Sequence, residues 1–302
     1  MYDIIIIGAG PAGLTAAIYA RRADKSVLVL EKVMFGGQMT FSPKIENYPG
    51  FNQISGNELA EKLVEQAAAL GADIDMQEVL NVHKDNEIFC VRCSDGEYMA
   101  RAVIIATGSR HRLLGIEREE DFVGNGISFC AVCDGAFYAD KTVAVIGGGN
   151  SALQEAIMLS DGCKKVYVVQ NLDFLTGEEK LAEILRKRDN VEFIFGCTVE
   201  AIQGIDEFEG IIIKNTETEE KIRLDLDGMF VAIGQVPENE PFENLTKLSD
   251  RGYIISDESC VTDTEGLFVA GDCRTKSIRQ ITTASGDGAI AALAACKFID
   301  NK

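Results

Sequence analysis

Tyr2-Asp3-Ile4-Ile5-Ile6-Ile7-Gly8-Ala9-Gly10-Pro11-Ala12-Gly13 is an apolar, strand-like run that enters glycines spaced G-x-G-x-x-G. Alone, that spacing is weak evidence. Here a helical pattern continues through Arg22, a second apolar run covers Ser26 to Leu30, and an acidic residue, Glu31, closes it. Strand, glycine turn, helix and a strand ending in a carboxylate make up a mononucleotide-binding βαβ unit. The glycines let the backbone approach a pyrophosphate at the helix start, and Glu31 is placed to accept the hydroxyls of an adenosine ribose. The plainer reading of Glu31 is a surface carboxylate at a strand end.

The same pattern returns at mid-chain. Lys141 to Ile146 is an apolar strand entering Gly147-Gly148-Gly149-Asn150-Ser151-Ala152, followed by a helix from Leu153 to Ser160 and a strand from Lys165 to Val169. Gly8 matches Gly147, Gly13 matches Ala152 and Glu31 matches Gln170, since 31 − 8 and 170 − 147 both give 23. The chain therefore carries two such units. The first has its ribose carboxylate; the second has a glutamine there.

At 302 residues the chain has room for two domains, each with its own core. No apolar run reaches the ~20 residues of a membrane span, and Met1 leads directly into a strand, so no signal peptide and a cytoplasmic location are expected. Nine scattered cysteines, an odd number, argue for reduced buried thiols plus one functional pair rather than a disulfide framework. The net charge of −19 disfavours nucleic acid and anionic membranes as partners. Only His83 and His111 are present, with no nucleophile motif beside either, which argues against a hydrolase; no His/Cys cluster has metal-ligand spacing.

Between the two units lie loop-like segments, Phe35 to Thr40 and Ile45 to Phe51, whose amide side chains suit a heterocyclic ligand. An amphipathic helix spans Asn57 to Leu70 and is closed by Gly71. Short strands fill 73 to 105, with a turn at Ser94-Asp95-Gly96. Cys90 and Cys93 form a C-x-x-C there, but strand positions three apart face opposite ways, so they read as packing residues. Val103 to Gly108 is a buried strand and small-residue turn, and Arg110-His111-Arg112 reads as a crossing between domains. Beyond the second unit come a helix over 177 to 188, strands over 191 to 234, a linker marked by Pro237 and Pro241, strands near 253–256 and 267–270, then Gly271-Asp272. A small-residue helix over 285 to 298 ends the chain. Asp272 is equally an N-cap or turn aspartate and a ligand for a sugar-like polyol.

The chemistry-bearing stretch is Cys130-Ala131-Val132-Cys133-Asp134, just before the second unit. Two thiols with this spacing close a small disulfide ring at the first turn of a helix, and near βαβ patterns they read as a redox dithiol. Asp134 adds a proton donor or acceptor beside the pair.

Taken together, the chain resembles the low-molecular-weight bacterial thioredoxin reductases over nearly its full length. The matching segments are GAGPAG (8–13), GGQMT (36–40), ENYPG (46–50), ATG (106–108), CAVCDGAFY (130–138), GGGNSA (147–152), VAIGQVPEN (231–239), GLFVAGDC (266–273) and RQI (279–281). The resemblance implies an α/β chain with two Rossmann-like, three-layer ββα domains, the second inserted into the first. FAD would sit in a discontinuous domain of residues 1–112 and 243–302, and residues 113–242 would carry the dithiol. By position, Gly8, Gly10, Pro11, Ala12, Gly13, Glu31 and Lys32 would hold the adenosine and pyrophosphate. Gly37, Gln38, Thr40, Asn47, Ala106, Thr107, Gly108, Gly271, Asp272, Arg279, Gln280 and Ile281 would line the rest of the cofactor. Cys133 would be the thiol nearer the flavin, Cys130 the one attacking a partner disulfide, and Asp134 the acid/base. The implied activity is reduction of thioredoxin by a homodimer, through a mixed disulfide and rotation of the inserted domain.

One departure matters. Family members that use NADPH follow the second unit's strand with His-Arg-Arg and a later Arg, which clamp the 2′-phosphate. This chain has Gln170-Asn171-Leu172, and Thr176 in the later position, so no cation is left to pair a phosphate. The carboxylate that NADH would want at 170 is absent too, although Asp173 is within reach of a ribose. The sequence is thus similar to the ferredoxin-linked, pyridine-nucleotide-independent branch. The alternatives are an NAD(P)H-dependent reductase, a flavin-dependent dithiol oxidase passing electrons to oxygen, and a flavin-binding redox sensor. Ferredoxins and thioredoxins are usually acidic, as is this chain. Docking would therefore need a basic patch, for which Arg110, Arg112, Arg186, Lys187, Arg188, Arg274 and Lys276 are available.

Overall fold

The computed structural model describes residues 1–42 and 44–302. The chain divides into two compact units, Met1–Arg110 with Val236–Lys302, and His111–Gln235. The second crossing falls at 235/236, where the resemblance implied 242/243. The reason is Asn239, fully buried in the first unit, whose Nδ2 donates to Gly252 O (2.9 Å) and Cys273 O (2.8 Å). The first crossing is at 110/111 rather than 112/113.

In chain order, the first unit opens with β1 (Tyr2–Ile7), α1 (Pro11–Arg22), β2 (Val27–Glu31) and α2 (Gly56–Ala69). It continues through β3 (Asp73–Met76), β4 (Val79–Asp85), β5 (Ile88–Cys93) and β6 (Gly96–Ile105). β7 (Arg110–His111) leads into the second unit, which contains β8 (Ile127–Ser128), α3 (Ala131–Asp134), β9 (Thr142–Ile146), α4 (Asn150–Ser160) and β10 (Lys165–Val169). α5 (Glu179–Arg186), β11 (Val191–Ile194), β12 (Cys197–Gln203), β13 (Gly210–Asn215), β14 (Lys221–Asp225) and β15 (Gly228–Val231) complete it. β16 (Gln235–Val236) leads back, and β17 (Leu267–Val269) and α6 (Ile281–Asp300) finish the first unit.

Both units are three-layered, and strand alternation makes them so. In the first, β3, β2, β1, β6 and β17 form a parallel sheet, while the earlier half of β6 pairs antiparallel with β5 and β5 with β4. Ile4, Ile6, Val27 and Val29 point to one face and pack under the small residues of α1, α2 and α6. Ile5, Ile7, Leu28 and Leu30 point to the other, against Val82, Phe89 and Val91 of the antiparallel layer. The second unit repeats this with the parallel order β11-β10-β9-β15-β8 and a separate antiparallel layer, β12-β13-β14. Val143 and Val145 face α4 and α5; Ala144 and Ile146 face Ile211, Ile213 and Leu224. The internal repeat holds to the residue: Leu30 pairs with Ile7, and Val169 pairs with Ile146.

Two expectations for the C-terminal segment are corrected. Residues 253–256 form no strand; Ile254 makes only isolated bridges to Leu248 and Arg274. α6 begins at Ile281, four residues before the expected 285, because Gln280 and Thr283 form a reciprocal cap.

Candidate active site

The dithiol site is built by a tight local turn. Cys130 is the N-cap of α3, and its Sγ accepts the Cys133 N–H at 3.2 Å. Its carbonyl accepts from Cys133 N (3.1 Å) and Asp134 N (3.0 Å). The two Cα atoms are 5.3 Å apart and the sulfurs are joined in a disulfide. The buried Ser128, at the end of β8, fixes both flanks. Its Oγ accepts the Cys130 N–H (3.1 Å) and donates to Asp134 Oδ2 (2.6 Å). Burial raises the Asp134 carboxyl above its usual range, opposed by the Ser128 bond, and its Oδ1 is buried with no protein partner. Asp134 is thus a carboxyl poised to hold a proton one residue from Cys133. Ser128 was not singled out from the sequence; its role depends on β8 running beside β15.

The other seven cysteines are free and buried. Cys90 and Cys93 do not join, as their opposed strand faces required. Burial pushes Cys93 and Cys273 up to about 11 and Cys260 to about 12, while the Glu97 carboxylate and then burial bring Cys90 to about 11. These are inert thiols. His111 stacks on Phe129 with centroids 4.7 Å apart, and burial pushes its imidazole down to about 4, so it is neutral at pH 7.

The first unit holds a second constellation around its glycine turn. Gly8 has φ +107°, and a Cβ there would meet Ala106 O at 2.4 Å; a Cβ on Gly13 would lie 1.9 Å from Gly8 O. Strand, turn and helix therefore close on one another only with glycine at both positions. Gly10 and Gly108 border open space, and a Cβ on Gly37 would lie 3.5 Å from the Gly10 Cα. Glu31 accepts the Ala9 N–H through Oε2 and the Val33 N–H through Oε1, both at 2.9 Å. Pro11 opens α1, and Ala12, within α1, touches the Gly271 turn. Asp272 has a buried Oδ1 without a protein partner, and burial pushes its carboxyl up to about 6 against Lys276 and Arg279.

Further members lie around these. Asn47 Nδ2 donates to Gln280 Oε1 (3.3 Å), Thr107 Oγ1 to Asn239 Oδ1 (3.4 Å), and Thr40 Oγ1 to Gly37 O (2.8 Å). Gln38 lies with Thr40 in a short turn of helix, Gly37–Phe41, and Ile281 opens α6 behind the Gln280 cap. The Arg279 guanidinium lies over Tyr253, 4.4 Å from the ring centroid, and bonds Asp272 O. Lys32 is taken by Glu238 in an ion pair. The sequence did not flag Asp287, which accepts from Gly271 N (3.0 Å) and from Arg274 through both oxygens (2.9 Å), so holding the turn that presents Asp272.

The basic patch considered for docking is corrected in part. Arg274 is 1% exposed and the Lys276 side chain is 6% exposed, both paired with Asp287. Arg110, Arg186 and Arg188 are paired with Glu238, Glu179 and Asp161.

The chain matches the pyridine nucleotide-disulphide oxidoreductase family over residues 2–288. It is 44% identical over 303 residues to the "34.2 kDa protein in rubredoxin operon" of Clostridium pasteurianum, covering 99% of this chain and 98% of that one. It is 42% identical to the thioredoxin reductase of Listeria monocytogenes, covering 99% and 94%. The crystal structure of thioredoxin reductase from Streptococcus pyogenes superposes with a TM-score of 0.95 at 40% identity, covering 100% and 99%. The chain belongs to the pyridine nucleotide-disulphide oxidoreductases and, within them, to the low-molecular-weight thioredoxin reductase family.

Proposed function

We propose that the chain is a flavin-dependent thioredoxin-disulfide reductase of the cytoplasm that works as a homodimer and takes its electrons from reduced ferredoxin. The observation that carries the disulfide chemistry is the Cys130–Cys133 bond, with a buried acid one residue beyond it, in a chain whose other cysteines are buried and free. Such free thiols suit a reducing compartment.

The first unit fits FAD. The open space at Gly10 and Gly108 is the side from which a pyrophosphate would approach, and the partnerless Asp272 Oδ1 suits a polyol hydroxyl. Gly8, Gly10, Gly13 and Glu31 would hold the adenosine half; Gln38, Asn47, Asp272 and Gln280 would hold the rest. The cofactor supplies a two-electron carrier when bound. Cys133 is the sulfur assigned to that side, Cys130 attacks the disulfide of thioredoxin, and Asp134 holds the proton that the leaving thiolate takes.

Support for ferredoxin comes from the second glycine turn. The loop after β10 folds back onto it: Thr176 N and Gly177 N both donate to Gly148 O at 2.9 Å, and Gln170 Nε2 donates to Phe174 O (3.2 Å). A Cβ at Gly148 would lie 2.6 Å from Gln170 Cδ, so the glutamine fills the side where Glu31's counterpart would reach a ribose. Residues 170–178 contain no lysine or arginine. A 2′-phosphate there would meet only Asp173 and Glu178 as charged side chains, which costs affinity. The test is an anaerobic titration following flavin absorbance. Reduced ferredoxin bleaches the flavin, NADPH and NADH at stoichiometric amounts do not, and oxidised thioredoxin restores the colour. Full bleaching by NADPH overturns the donor assignment, and a flavin that thioredoxin fails to reoxidise overturns the reductase assignment.

A further inference from the structure

Glu155 is the one ionisable residue of α4, the helix that follows the second glycine turn, and α4 packs against α3. Its Oε2 is buried and has no partner, and the polar group acting on the carboxyl is the backbone N–H of Ala131, the residue between Cys130 and Val132. Burial raises this acid to about 8, with the Ala131 N–H opposing. The ionisable groups on the elements around α4 are Asp134 of α3, Tyr138 in the short turn beyond it, Lys165 and Tyr167 of β10, and Glu179, Lys180, Glu183 and Arg186 of α5; β9 has none. None of them forms an ion pair with Glu155 among the described residues. A buried acid with no counter-charge, directed at the backbone of a redox disulfide, has no account in packing alone.

We propose that Glu155 is a positioning residue of the dithiol: set against Ala131, its carboxyl takes up a proton when the Cys130–Cys133 disulfide opens and returns it when the disulfide closes. The proposal rests on the redox reading of that pair. Opening uses two electrons from the reductant, which is oxidised. The Sγ–Sγ bond breaks, one sulfur binds a solvent proton to become a thiol, and the other stays a thiolate. That new charge disfavours a carboxylate at 155, which binds a second solvent proton; closure releases both protons and both electrons.

The test equilibrates flavin-loaded protein with mixtures of reduced and oxidised dithiothreitol from pH 6 to pH 9.5 and counts the Cys130 and Cys133 thiols by mass-tag alkylation. No thioredoxin or electron donor is needed, so failure of the reductase assignment leaves the measurement intact. At pH 6 Glu155→Gln and the wild type agree within twofold, since both carry a neutral side chain. At pH 9 the variant's equilibrium lies about tenfold further toward the dithiol, ~30 mV, because opening the wild-type disulfide must also draw a scarce proton onto Glu155, which the neutral glutamine does not need. Equal values at pH 9, or the same offset at both pH values, overturn the proposal. Should the variant not fold, wild-type protein labelled with carboxyl-¹³C glutamate gives an infrared difference spectrum at pH 8. A protonated glutamate band appears on reduction, and its absence overturns the proposal.

Discussion

At the residue scale, burial raises the carboxyls of both Asp272 and Asp134, and the two are put to different uses. Asp272 has its folded pKa raised from 3.8 to about 6 by burial. The fold prefers it protonated, so its contribution is most favourable below pH 4 and is lost as the pH rises through 6. The difference, 6 − 3.8, corresponds to about 2 to 3 kcal/mol of destabilisation at neutral pH. Asp272→Asn apoprotein should therefore resist urea better than wild type at pH 7 by about that amount, and equally at pH 4. The same variant should release FAD more readily, as read by filtration. Equal urea midpoints at pH 7 would show that Asp272 is already well solvated. Asp134 is used differently, since its raised carboxyl sits beside the dithiol. Asp134→Asn should slow thiol–disulfide exchange at least ~10²-fold in stopped flow while the Cys130–Cys133 disulfide still forms. A rate within threefold of wild type would remove it from the chemistry.

At the scale of elements, the short-range features were legible and the long-range ones were not. The glycine turns at 8–13 and 147–152 and the cap-and-turn of α3 are set by residues within a few positions of one another, so spacing alone revealed them. The apolar runs at the start of each unit were legible as strands, and β1 and β9 are found there with both faces buried. What sequence reading missed needs partners far along the chain. Arg274 reads as a surface cation until Asp287, on the first turns of α6, is brought against it. The crossing at 235/236 depends on Asn239 reaching Cys273, and Glu155 acquires its setting only when α4 packs on α3. The Asp287 cluster gives a test at this scale. Burial opposes its ionisation, but the bonds from Arg274 and Lys276 prevail and hold its carboxyl below the usual range. Its stabilisation is therefore present above pH 4 and lost as the pH falls through the depressed value. Asp287→Ala leaves two buried cations and the Gly271 N–H without their acceptor. It should cost about 3 to 5 kcal/mol in urea unfolding at pH 7, with flavin lost in parallel. A cost under 1 kcal/mol would mean that the cations escape to solvent.

For the whole molecule, the dominant electrostatic fact is 48 acidic against 29 basic side chains. Many of the basic ones are spent in local pairs, among them Arg110, Arg186, Arg188, Arg274 and Lys276. The surface therefore carries a surplus of carboxylates that repel one another and any acidic partner. Salt screens both: the Debye length falls from ~20 Å near 0.02 M to ~4 Å near 0.5 M. Over that range the melting temperature should rise by several degrees as self-repulsion is relieved. The second-order rate of exchange with an acidic thioredoxin should rise several-fold as well, because encounter is limited by like charge rather than steered by opposite charge. Measuring that rate by stopped flow against KCl concentration separates the two regimes. A rate that instead falls steeply with salt would reveal a basic docking surface, with Arg112 and Lys187 the first residues to replace.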